Sequence, residues 1–386
     1  MSAFGRVASR IALLAAVLAL KPAPGVCKVE HARLWQAYAN HFLSPDGRVI
    51  DPQGGDRTTS EGQSYALFFS LVNNEPTRFE TILKWTQANL AMGDLGTHLP
   101  AWSWGKGKDG QWGILDPNSA SDSDMWIAYD LLEAGRLWSN PRYSNLGRKL
   151  VAQIARREVV TLPEVGAMLL PAPTGFRFPN AWIVNPSYLP VFVLDRLASI
   201  DPAGPWIGIA VNVPHLVETS SRAGFVMDWV SYTRDVGYAP SILAAPKSDG
   251  ALGSYDAIRV YLWAGMLDEA HPAKSRLLKA LFGMNAYLLN HSAPPEKVSA
   301  TGQPEKQDAP VGFSAALLPY LRSIPDPDAA TRQLERVESQ VDEKTGLYGP
   351  VPIYYDENLT LFATGWSEKR FQFGINGQVL VTWGHP

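Results

Sequence analysis

Apolar residues recur along most of the chain at the spacing of a helix rather than a strand. Over Val29–Phe42, Leu34, Trp35, Tyr38 and Phe42 fall on one face. In Ser64–Val72, Tyr65, Phe68, Phe69 and Val72 stand at i, i+3, i+4 and i+7. Met125–Trp138 is apolar almost all round, the mark of a helix enclosed by neighbours. The same period predicts helices over Arg78–Leu90, Leu146–Arg157, Tyr188–Ser199, Ile207–Ala223, Tyr255–Leu267, Ala273–Leu289, Phe313–Ser323 and Asp328–Val341. Between them run long stretches rich in Gly, Asp, Pro and aromatics, notably Asp94–Pro117 and Ala223–Gly253. Loops of that length inside a compact domain are more often functional than filler. Ser292–Pro310, polar and proline-rich, reads as a mobile surface loop, since too little chain follows it for a separate core. Phe371–Phe373 and Val379–Trp383 flank Asn376-Gly377, a hairpin signal. No fixed-period repeat appears, which disfavours propellers and short-repeat solenoids. The expected fold is mainly α, eleven or twelve helices with a little β.

Composition narrows this picture. A chain of 386 residues, 46% hydrophobic and 18% charged, suffices for one large helical architecture. The net charge of −3 and the lack of a dense Lys/Arg run remove the electrostatic footprint of a nucleic-acid partner. Several of the 13 tryptophans (Trp102, Trp104, Trp112, Trp229) sit in loops beside Gly, Asp and Ser. Such rings serve either packing or a polar groove whose flat aromatic faces suit sugars. At the N-terminus, Arg6 and Arg10 precede the apolar run Ile11–Leu20 and a breaker segment through Gly25. Ten apolar residues fit the h-region of an export signal and are too few to span a bilayer. Residues 1–25 are therefore expected to be a signal peptide, leaving 26–386 as a single domain, periplasmic or secreted, with no membrane insertion. The lone Cys27 can form no internal disulfide framework and reads as an incidental thiol.

Three segments place an acid at a helix start: Thr58-Thr59-Ser60-Glu61, Ala120-Ser121-Asp122-Ser123-Asp124 and Ser254-Tyr255-Asp256. Each alone is adequately explained by capping, and Thr58 with Glu61 has the capping-box spacing. Glu61, however, leads the stripe of Tyr65, Phe68 and Val72, and burial among aromatics would keep its carboxyl protonated while the helix dipole pulls the other way. Asp256 has Arg259 three residues on, either an ordinary ion pair or a cation holding a base ionised. One protonated and one ionised carboxyl are what glycosidic-bond hydrolysis needs. Other chemistries fare worse. There is no HExxH and no Cys/His cluster, so neither a metal nor another cofactor is expected, and His31 and His41 read as structural. No G-x-S-x-G elbow, P-loop or dinucleotide fingerprint is present.

At these residues the sequence resembles glycoside hydrolase family 8, in particular the periplasmic endoglucanases that accompany bacterial cellulose synthases. The motifs are Thr59-Ser60-Glu61-Gly62-Gln63-Ser64-Tyr65, Ala120–Ala128, Asn185-Pro186-Ser187-Tyr188, Ser254–Arg259, and Tyr354–Leu359 with Thr364-Gly365-Trp366, in order along nearly the whole chain. The resemblance implies an all-α (α/α)6 toroid and inverting hydrolysis of a β-1,4-glucan chain during cellulose export, in contact with the synthase export complex. It implies Glu61 as general acid, Asp256 as general base and Asp122 as the residue that binds and distorts the sugar. Tyr255 and Arg259 would flank the base, Trp102 or Trp104 would stack on a glucosyl ring, and Tyr188 would line the cleft. Ser123 stands where the family usually has Gly or Ala, and Asp130 where it has a small residue; both are expected on the loop and helix surface, and Asp124 receives no role. The family also contains xylanases and chitosanases. A non-catalytic glucan-binding chaperone and a polysaccharide lyase are the rivals, the latter lacking a basic groove for an anionic substrate.

Overall fold

The computed structural model describes residues 30–241 and 251–383, so the expected signal peptide and Cys27 lie outside the described residues. Among the described residues thirteen α-helices follow one another: α1 (His31–Phe42), α2 (Ser60–Val72), α3 (Pro76–Leu90), α4 (Ser121–Leu137), α5 (Pro141–Arg157), α6 (Val191–Ile200), α7 (Trp206–Ser220), α8 (Ala257–Met266), α9 (Pro272–Ala280), α10 (Phe282–Leu288), α11 (Val311–Arg322), α12 (Pro327–Glu338) and α13 (Tyr354–Ser367).

They are of two kinds. In α5, Tyr143, Leu150, Val151 and Ile154 form a buried stripe while Arg142, Arg148, Lys149 and Arg156 face solvent. α1, α3, α7, α9 with α10, and α12 also bury only part of their surface, as outer-layer helices do. By contrast, α8 is buried along its whole length, and α2 buries every residue except Glu61. With α4, α6, α11 and α13 these make an inner ring, so the chain alternates outer and inner six times: an (α/α)6 toroid. The ring closes where α1 packs on α13. There His31 bonds through Nδ1 to the Leu361 carbonyl (3.1 Å) and through Nε2 to Asn73 Nδ2 (3.1 Å). Burial drives its pKa down to about 3, so the imidazole is neutral.

One end of the toroid is plugged by the expected hairpin, Phe371–Phe373 paired with Val379–Val381. Phe373 stacks on Phe192 (centroids 3.8 Å apart) and Phe371 meets Phe68 edge-on. The turn residue Gly377 has φ +72°, and a Cβ there would lie 1.8 Å from the Phe192 carbonyl oxygen, so the close approach requires glycine.

The structure departs from the sequence reading in instructive places. α13 was not predicted as a helix: buried Asp356, Glu357, Asn358, Thr360 and Thr364 interrupt its apolar residues, so it shows no clear apolar period. The single helix expected over Ala273–Leu289 is two. Gly283 N–H donates across to the Gly224 carbonyl (3.0 Å) instead of continuing the helical ladder, and Leu281 is the joint. Ser292–Pro310, expected as a structureless loop, holds a hairpin, Lys297–Ser299 with Pro304–Lys306, which extends to Leu252–Gly253. The loop 94–117 likewise contains strands Ser103–Lys106 and Trp112–Asp116, the first pairing with Thr58–Thr59.

Candidate active site

The end opposite the hairpin is built from the first turns of α2, α4, α8 and α13. Strand Thr58–Thr59 delivers the chain into α2, and Ser60 N–H donates to the Trp102 carbonyl (3.0 Å), pinning this start to the rim. The cap of α2 is Thr59, whose hydroxyl accepts from Gly62 N–H (3.1 Å). Thr58 instead donates to the Val49 carbonyl, which corrects the capping-box reading. Glu61 is thereby released from capping, and its carboxyl points inward.

It meets Arg259, which rises from the first turn of α8 and is 2% exposed. One guanidinium nitrogen donates to Glu61 Oε2 (2.6 Å), Asp122 Oδ2 (3.0 Å) and Tyr65 Oη (3.0 Å). The other donates to Asp256 Oδ1 (2.6 Å) and Ser187 Oγ (3.1 Å). The three acids of the sequence motifs thus converge on a single cation from α2, α4 and the start of α8. Tyr354, at the head of α13, donates to Glu61 Oε1 (3.1 Å). Because these residues all open inner helices, the positive ends of several helix dipoles point at the same spot.

Glu61 and Asp122 share one arginine away from water and cannot both ionise cheaply, so they titrate as a coupled set. Burial pushes Glu61 up to about 7 against the pull of Arg259, with Asp122 and Asp256 adding to the rise. Burial also raises Asp122, opposed by Arg259 and by the Ser123 amide that donates to its Oδ1 (2.7 Å). At Glu61 burial outweighs the pull of Arg259 and of the Tyr354 hydroxyl. Asp256 is more open, its side chain 26% exposed.

The remaining expected residues fall around this core. Tyr188 lies against Arg259, its ring centroid 5.6 Å from the guanidinium carbon, and meets Trp229 edge-on. Tyr255 is 43% exposed, donates to Glu296 Oε1 (3.2 Å) and lends its carbonyl to the Tyr355 hydroxyl. Trp102 sits at the rim beneath Arg57. Trp104 offers less: Trp112 stacks on it (5.2 Å), Trp85 abuts its edge and Arg48 lies over both rings. The exposed ring of that hairpin is Trp112, 48% accessible. Ser123 and Asp130, expected on a surface, are both buried. The Ser123 hydroxyl donates to Asp122 Oδ1 (3.2 Å), whereas neither Asp130 oxygen has a hydrogen-bond partner. Asp124 points away from Arg259 toward Glu158, and burial raises both carboxyls, Glu158 to about 8.

Several residues at the site escaped the sequence reading. Tyr65, Ser187 and Tyr354 lie inside the motifs but received no role there. Asp228, in the loop before Val230–Thr233, has no local pattern at all; its bonds to the Ser254 and Ala257 amides exist only in the folded chain.

A helical toroid with carboxyls gathered at one end of its inner ring is an architecture of glycan-cleaving enzymes. The sequence profile of glycosyl hydrolases family 8 matches residues 10–369, and the chain belongs to that family. It is 44% identical over 377 residues to an endoglucanase of Xanthomonas axonopodis pv. citri (strain 306), covering 97% of this chain and 96% of that one. An endoglucanase of Escherichia coli (strain K12) is 43% identical over 352 residues, 91% of each chain. Among solved structures, an endo-1,4-D-glucanase from Vibrio fischeri ES114 superposes with a TM-score of 0.84 at 37% identity, covering 91% of this chain and 99% of that one. A cold-adapted family 8 xylanase shares the fold at 18% identity, with a TM-score of 0.67 over 90% of this chain and 91% of its own. The toroid therefore does not by itself choose a substrate.

Proposed function

We propose that the protein is an endo-β-1,4-glucanase that cleaves β-1,4-glucan with inversion, Glu61 serving as general acid, Asp256 as general base and Asp122 gripping the sugar at the cleavage point. The observation that carries this reading is the division of labour around Arg259. Glu61, pushed up to about 7, keeps its proton where a glycosidic oxygen needs one. Asp256, held through one oxygen by the guanidinium, keeps the other for water. The guanidinium stands between the two carboxyls, and inversion requires about 6.5–9.5 Å between them, room for a water. Tyr188, Tyr255, Trp102 and the exposed Trp112 supply aromatic faces for the glucan chain on either side. The substrate assignment is supported by the endoglucanase relatives above.

The leader-like pattern of residues 1–25 supports export, with a single catalytic domain acting in the periplasm or outside the cell on cellulose as it leaves a synthase export complex. The test is direct. The purified protein should rapidly lower the viscosity of carboxymethylcellulose, and proton NMR of early products should show the α-anomer. Glu61→Gln should lose about 10²–10⁴ of turnover, the usual share of a general acid, while still binding cello-oligosaccharide. Turnover at the wild-type rate in that variant would overturn the acid assignment, and early release of the β-anomer would overturn inversion. Preferential hydrolysis of xylan or chitosan in parallel assays would overturn the glucan assignment.

A further inference from the structure

An acid at a helix start ordinarily spends its carboxylate on the first backbone amides. Asp256 does not. It occupies the N-cap position of α8, yet its backbone is helical (φ −76°, ψ −51°) and its side chain caps nothing. That duty is met from another element. Asp228 Oδ1 accepts from Ser254 N–H (2.7 Å) and from Ala257 N–H (2.8 Å), the amides that bracket Tyr255-Asp256. Asp228 is itself fixed, its own N–H donating to the Leu252 carbonyl (2.8 Å). The chain just ahead is equally constrained: a Cβ on Gly253 would lie 2.2 Å from the Val226 carbonyl oxygen, so the two segments touch backbone to backbone. Ser254 Oγ closes the turn on its far side by donating to the Glu296 carbonyl (2.8 Å).

We propose that Asp228 is a positioning residue for the reaction: by capping α8 from outside, it fixes the Ser254–Ala257 turn and leaves the Asp256 carboxylate free to address water. The inference rests on Asp256 being the base. The same division appears at α2, where Thr59 caps and Glu61 is released. What the cap requires is an acceptor oxygen at one place, not a charge. Burial pushes Asp228 up to about 7, with the nearby Asp256 carboxylate adding to the rise, and Oδ1 can accept in either protonation state.

The test compares four variants by kcat, KM and melting temperature on a soluble glucan. Asp228→Asn presents an equivalent acceptor and should keep kcat within about threefold of wild type, as interchangeable caps do. Asp228→Glu keeps the charge but moves the oxygen, and Asp228→Ala removes it. Both should lower kcat by about 100-fold, the cost of displacing a reacting group by ~1 Å, with KM nearly unchanged. Should Asp228→Ala fail to fold, the order of Asn and Glu decides. Glu active with Asn impaired would show that charge, not the cap, matters, and would overturn the proposal. So would wild-type kcat in every Asp228 variant, or Asp228→Asn as inert as Asp256→Asn, which would make Asp228 a chemical participant. Asp256→Asn separates this from the parent reading: if that variant still turns over, the assignment of the base fails whatever Asp228 does.

Discussion

Two buried clusters of acids and arginines sit on the inner ring, and their stoichiometries are opposite. At mid-helix on α4, Glu133 is one carboxylate served by two arginines: Arg196 donates at 2.6 Å, Arg136 through two nitrogens, and the Val379 amide at 2.9 Å. Both its oxygens are multiply bonded, and the cluster ties α4, α6 and the C-terminal hairpin together. At the open end, Arg259 is one cation shared by three carboxyls. Saturating a buried charge makes a structural joint, because no lone pair is left to react. Undersupplying buried carboxyls with cations leaves protons bound that would otherwise be lost, and in the mechanism we propose those protons are the reagent. The same residue types in the same ring thus give a brace at one level and, at another, the protonated carboxyl we propose as the acid.

The largest effect should come from Arg259→Lys. A compact ammonium cannot reach three carboxyls from one position as the planar guanidinium does. Loss of this hub should cut kcat/KM by about 10³ or more, since acid and base are misplaced together, and should destabilise the fold by about 3–5 kcal/mol, as removing one partner of a buried pair does. Initial rates and urea unfolding measure the two, and near-normal rates in this variant would break the comparison at its centre. Glu133→Gln should show the other half: a similar loss of about 3–5 kcal/mol in unfolding free energy, but a kcat within about twofold of wild type for the folded fraction, since the sites share no partner. A large fall in kcat there would mean that the brace and the reagent are not separable.

A third kind of acid sharpens the contrast. Among the described residues Asp130 has neither a cation nor a hydrogen-bond partner, and burial raises its pKa well above the usual range, with Glu133 adding to the rise. An acid whose folded pKa is raised contributes its full stability below the unfolded pKa and loses it as pH rises through the folded one. Asp130→Asn mimics the protonated form. The variant and wild type should therefore melt alike near pH 4 and diverge above it. Between the unfolded and folded pKa values the variant should gain about 1.4 kcal/mol on wild type for each step of one in pH. A gap in melting temperature that stays constant with pH would remove Asp130 from the titration.

These clusters also mark what the sequence could disclose. Outer helices such as α5 declare themselves by polar and apolar faces, so their existence was readable even where α5 began earlier, at Pro141 behind the Asn140 cap, than its apolar period suggested. Inner helices weaken that signal, and α13 escaped because buried polar side chains such as Asp356, Glu357 and Asn358 also break its apolar run. Glu61, Asp122 and Asp256 were legible because an acid at a helix start is a local feature. Their union through Arg259 is tertiary, and so are the burial of Asp130 and the reach of Asp228 to α8. Local patterns placed the acids; only packing reveals which are paired, which are protonated and which are relieved of capping.

The smallest effect we expect concerns a single proton. Tyr354 donates to Glu61 Oε1 and favours the ionised carboxyl, opposing the burial that raises its pKa to about 7. In the wild type, activity should therefore decline on the alkaline side as Glu61 loses its proton. Tyr354→Phe removes the donor and keeps the ring, so the carboxylate is less stabilised and its pKa rises further. The alkaline limb of kcat/KM should move to higher pH, by up to about 1, the worth of one hydrogen bond to a charged group in an already crowded site. Below that limb the rate should change little, because the acid is protonated in both proteins. A move to lower pH would reverse the argument, for it would mean that the tyrosine stabilises the protonated acid and that the proton is held by this one contact. An unmoved limb with a lowered plateau would instead make Tyr354 a substrate contact, and the alkaline limit would then belong to another member of the coupled set.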